Sequence, residues 1–174
     1  QKFSQNLGFA GTANHADISK PDATQDPFRI TFDYKREKTG DWANYRILPQ
    51  FPPVYLPVLD ESNPPQVPIE LGPKHVENAT TALKLPVGWS ATLPEAVHVR
   101  TPFAIFDKTY RLDKGTLYAD RKIEVVQEKV PATQWKTYQK FVDDAGFKDG
   151  EPYVQLTSAT KKAGDAGPPL PSVN

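Results

Sequence analysis

His15, His75 and His98 are the only imidazoles in the chain, and none lies at the short spacing from a second ligand that metal centres use. Each is expected on a strand or at the surface. Two carboxylate pairs, Asp60–Glu61 and Asp143–Asp144, have the residue type for acid–base work. Neighbouring acids in a loop or at a helix end are usually solvated, and the separation that glycoside chemistry requires is not encoded in adjacency. The chain has no cysteine, which excludes disulfides, thiolate ligands and a cysteine nucleophile. Nucleophile-elbow, phosphate-loop, dinucleotide and calcium-loop patterns are absent. The residues therefore point to no catalytic, metal or cofactor site.

Other residues could bind without reacting. Pro49-x-x-Pro52 and Pro65-x-x-Pro68 match the minimal polyproline recognition pattern, although a connection at a sheet edge is the plainer expectation. Asn78-Ala79-Thr80 is an N-glycosylation sequon, meaningful in a cell that glycosylates exported proteins. Trp42 and Trp89, beside turns, could stack on sugars or simply anchor loops. In VPATQWKTYQKFVDDA, residues 130–145, Trp135, Tyr138, Phe141, Val142 and Ala145 recur at helical spacing. An isolated helix of that length is marginal in water, and each buried aromatic contributes about 1.5–3 kcal/mol. The stripe is therefore expected to close a core, and Trp135→Ala to cost about 3–5 kcal/mol.

The frame around these residues reads as mainly β: an antiparallel β-sandwich carrying one C-terminal amphipathic helix at about 132–145. Phe28, Ile30, Phe32 and Tyr34 alternate with polar residues, the mark of a half-buried antiparallel strand. Phe106, Tyr110 and Leu112 share one face of a later strand; Leu117, Ala119, Ile123 and Val125 share a face of the next. Asp113-Lys114-Gly115 between them fits a three-residue hairpin loop. Trp89, Trp135, Tyr138 and Phe141 complete the expected core. Residues 1–27 are expected as an N-terminal arm or an opening strand, 28–157 as the sandwich, and 158–174 as a Gly/Pro-rich tail.

Composition narrows the class. The 174 residues suit one fair-sized domain, and 38% hydrophobic with 24% charged residues suits a globular chain with a modest core. The 21 basic and 21 acidic residues cancel without a basic patch, so no nucleic-acid partner is expected. No apolar run is long enough for a membrane span. Eighteen prolines, about twice the usual share, favour many well-terminated strands. Methionine is absent, position 1 included, so Gln1 is expected to be a processed terminus or the edge of a longer chain. An extracellular, cell-surface or periplasmic location is the corresponding expectation.

From residue 28 to about 156 the order of motifs resembles the C-terminal region of bacterial transglutaminase-like proteins. The resemblance runs through Phe28–Tyr34, Arg46-Ile47-Leu48-Pro49, Pro68-Ile69-Glu70-Leu71-Gly72 and Leu85-Pro86-Val87-Gly88-Trp89 with Leu93-Pro94. It continues in Phe103-Ala104, Tyr110, Gly115-x-Leu117, Arg121 and Val130-Pro131 leading to Trp135, Tyr138 and Phe141. It implies a β-rich, non-catalytic domain lying C-terminal to a Cys-His-Asp core, and carries no catalytic residue into this chain. The expected function is an exported accessory module that makes protein–protein contacts. The alternative is a self-assembling subunit of an extracellular fibre or surface layer. The expected partner is protein, including copies of the chain itself, reached through segments 1–20 and 158–174. Phe3, Leu7, Phe9, Ile18, Leu170 and Val173 are the candidate contact residues.

Overall fold

The computed structural model describes residues 12–20, 22, 25, 29–35, 45–60, 62–147 and 152–158. In chain order the elements are β1 (Thr12–Ile18), β2 (Ile30–Lys35), β3 (Arg46–Ile47), β4 (Ile69–Glu70) and β5 (His75–Lys84). Then come β6 (Trp89–Thr92), β7 (Val97–Arg100), β8 (Ala104–Asp113), β9 (Thr116–Val125) and β10 (Lys129–Val130). A 3-10 turn at Ala132–Gln134 leads into α1 (Trp135–Asp144), and β11 (Val154–Ser158) follows.

The strict alternation in β8 and β9 sends every second side chain inward, as a period of two requires. Asp113 pairs with Thr116, so the connecting loop has two residues, not the expected three. Lys114 (φ 46) and Gly115 (φ 76) both take left-handed backbone, which matches the right-handed twist of the flanking strands. Antiparallel pairing extends this hairpin to a four-stranded sheet in the order β5-β9-β8-β7.

Two apolar clusters lie on the inner face of that sheet. In the first, Phe103, Phe106, Ile123 and Val125 meet Tyr138 and Phe141 of α1, with Ile69 and Val130 of the β4–β10 ribbon. Phe103 packs edge-on against Phe141, ring centroids 5.8 Å apart. In the second, Leu117 and Leu85 meet Val154 and Leu156 of β11, the central strand of the three-stranded sheet β3-β11-β6. The architecture is thus mainly β, with a larger antiparallel sheet faced by a smaller one and by one helix.

Several local expectations change. Residues 12–18, expected as arm or opening strand, form the strand β1 and pair antiparallel with β2. Ile30 and Phe32 are half-buried in that hairpin and belong to neither core cluster. Trp89 opens strand β6, beside the turn at Gly88 (φ 80), and its ring lies 5.4 Å from that of Tyr45. Trp135, at the first position of α1, is only partly buried because its side chain lies at the rim of the first cluster. Tyr110 is likewise partly buried, at the edge of the second. Phe28 and the side chain of Tyr34 lie outside the described residues.

Candidate functional site

Lys108 on β8 and Arg121 on β9 fall on inward positions of strands whose other inward residues are apolar, and both are at least 96% buried. Sequence patterning gives no signal for them, because alternation marks a side chain's direction and not its partner. The partner is a strap, residues 48–59, that crosses the inner face of the sheet. Phe51 is buried beneath it, with Lys108 Nζ 5.1 Å and Arg121 Cζ 5.0 Å from the ring centroid. Val54, Leu56 and Leu59 pack on the first cluster, while Tyr55 and Val58 face solvent.

Prolines leave the strap short of N–H donors, so it cannot join a ladder. Its carbonyls are satisfied by side chains instead. Thr81 Oγ1 donates to Gln50 O, Arg121 Nη2 to Pro52 O at 2.7 Å, and the Tyr138 hydroxyl to Pro57 O at 2.7 Å. Arg121 also pairs with Glu77, while its Nε has no hydrogen-bond partner among the described residues. Burial pushes the Tyr138 hydroxyl well above its usual pKa. This inner polar layer pins the strap. Pro49-x-x-Pro52 therefore lies in the strap, with Pro49 buried, and not at a sheet edge.

On the outer face, His98 and Arg100 of β7 converge on Asp107 of β8, each 2.7 Å from Oδ1. Partial burial pushes the Asp107 carboxyl up, but the hydrogen bonds and positive charge of Arg100 and His98 outweigh it and hold the pKa below the usual range. His15 is exposed on β1 and His75 Nδ1 lies 2.7 Å from Pro73 O, so the three histidines stay apart. Asp60 takes the Ser62 amide and hydroxyl, and Asp144 takes Lys140 Nζ at 2.7 Å. Among the described residues no group of three His, Cys, Asp or Glu could hold a metal, and no helix is long and apolar enough to cross a membrane.

Among the described residues the longest strand edge without a partner strand is that of β5. Leu85 N–H donates to Gly115 O at 2.8 Å, one step beyond the β5–β9 ladder. Hydrogen-bonded pairs alternate along an antiparallel ladder, so the odd-numbered residues of β5 turn to β9. Val126 N–H donating to Phe103 O at 2.8 Å sets the complementary alternation between β9 and β8. Val76, Asn78, Thr80, Ala82 and Lys84 therefore direct N–H and C=O away from the sheet. Among the described residues no strand pairs with that side. The centre of this edge, Asn78–Leu83, has no charge, no proline and no bulge, the devices that usually shield one. The sequon residue Asn78 is exposed on it.

Of the expected contact residues, Ile18 is exposed at the end of β1, opposite Ile30. Phe3, Leu7, Phe9, Leu170 and Val173 lie outside the described residues, as does Trp42. The open β5 edge has no signal in the sequence because strand order, which decides which strand is an edge, is a property of the sheet.

Comparison with curated proteins and with solved structures returns no match. Residues 45–155, more than half of the chain and nearly all of the two packed clusters, match a family described as a domain of unknown function with a solved structure. The chain belongs to that family, DUF3858.

Proposed function

We propose that this chain is a non-catalytic, exported module that makes protein–protein contacts, and that it serves as an accessory region of a transglutaminase-like protein. The observation that carries the reading is the open edge of β5, ten residues long and uncharged at its centre. An unshielded strand edge offers a row of main-chain donors and acceptors that another strand can take up. The inner charged groups support it from the other side, since Arg121 and Glu77 are engaged in holding the strap. The lack of any cysteine in the chain accords with a region standing beside a catalytic core instead of forming one.

Deleting residues 45–158 from the parent protein tests this. Acyl transfer from a small glutamine donor to a small amine should continue, while association with other protein chains is lost. Loss of the small-substrate chemistry with association intact would reject the reading. A self-assembling structural subunit is the second reading, favoured by β7 forming the opposite end of the same sheet, so that addition could proceed at both ends.

A further inference from the structure

We propose that the open edge is completed by β5 of a second copy of this chain, running antiparallel about a twofold axis at Thr80. The proposal rests on the protein-contact reading above and names the partner. A twofold axis perpendicular to the sheet keeps the outer face continuous across the junction, so residues directly opposite share the same parity. With the axis at Thr80, Thr80 faces Thr80 of the second copy, Asn78 faces Ala82, and Val76 faces Lys84. These are the positions whose N–H and C=O point outward. All five exchange both bonds, about ten hydrogen bonds in the new ladder. Sliding the register by one step in either direction leaves an outward residue unmatched.

The side chains fit the same register. Glu77 faces Leu83 and Ala79 faces Thr81, so no like charges stand opposite each other. Lys84, on the outer face, stands opposite Val76, while Glu77, on the inner face, stays with Arg121, so no charged pair opposes this register. Pro73 and Pro86 flank β5 and cannot donate, so the pairing stops where the strand does. An unrelated extended peptide would use the same bonds but would not require this self-complementarity.

The full chain carries the test, and its lack of cysteine makes single cysteines clean reporters. Thr80→Cys should give a disulfide-linked dimer on mild oxidation, because paired Cα atoms about 5.5 Å apart lie within disulfide range. Val76→Cys should not, since the two residues would be roughly 25 Å apart. Light scattering of the unmodified chain should rise from 19.4 kDa toward twice that mass with concentration. Ala82→Pro removes an outward donor and leaves the β5–β9 ladder intact, so it should weaken dimerisation at least about tenfold while the dilute protein keeps its Tm. A mass fixed at 19.4 kDa, open polymers, or cross-linking by Val76→Cys as strong as by Thr80→Cys would each overturn the proposal. If the chain stays monomeric but Ala82→Pro abolishes association of the parent with a different protein, the contact reading survives and the second copy does not.

Discussion

Arg121→Met tests whether the inner polar layer holds the strap. Methionine keeps the apolar stem about as far as Nε but removes the donor that reaches Pro52 O at 2.7 Å, leaving a partly buried carbonyl unsatisfied at a cost of about 1–3 kcal/mol. Loss of the guanidinium from the Phe51 ring, 5.0 Å from its centroid, adds about 0.5–1 kcal/mol. Glu77 is about one-third exposed and regains water, so its lost ion pair adds at most about 1 kcal/mol. Methionine avoids the desolvation of a buried charge whose Nε is unpaired, which offsets part of this. The net expectation is a loss of about 2–4 kcal/mol, seen as a fall in Tm of roughly 5–15 °C by circular dichroism. Combining it with Glu77→Leu should recover part of the loss, since the carboxylate is then no longer left behind. A single variant as stable as the parent would show that apolar packing of Phe51, Val54 and Leu56 alone holds the strap, and the polar-layer argument would fail.

Other perturbations follow from the same contacts. Tyr138→Phe strands the Pro57 carbonyl and should cost about 1–2 kcal/mol in urea unfolding. It should also change the alkaline limb. The folded pKa of Tyr138 is raised, so its contribution is complete below the unfolded value near 10 and declines above it at about 1.4 kcal/mol per pH unit; the phenylalanine variant should lack that decline. Lys114→Asn, at a non-glycine residue with φ 46, should raise stability by about 0.5–1 kcal/mol, read from the urea midpoint. Phe103→Ala, at a fully buried ring between Tyr138 and Phe141, should cost about 3–5 kcal/mol. Trp135→Ala should cost clearly less than that, because the tryptophan is at the rim; equal losses would place it in the core after all.

The mainly β class, the β8–β9 hairpin and the inward face of α1 were legible in the sequence because period-two and helical spacing fix side-chain direction over a few residues. The loop is one residue shorter than its sequence suggests, since Lys114 in left-handed backbone is an exception that only the strand pairing of Asp113 with Thr116 reveals. Prolines signalled a connection at Pro49-x-x-Pro52, but not that it crosses the core. That required Thr81, Arg121 and Tyr138, distant in sequence, to meet the strap's carbonyls. Nothing in the residues of β5 marks its open side. Local chemistry determines whether a segment extends; only the assembled sheet decides which of its hydrogen-bonding groups find partners, and the candidate contact surface arises from that second decision.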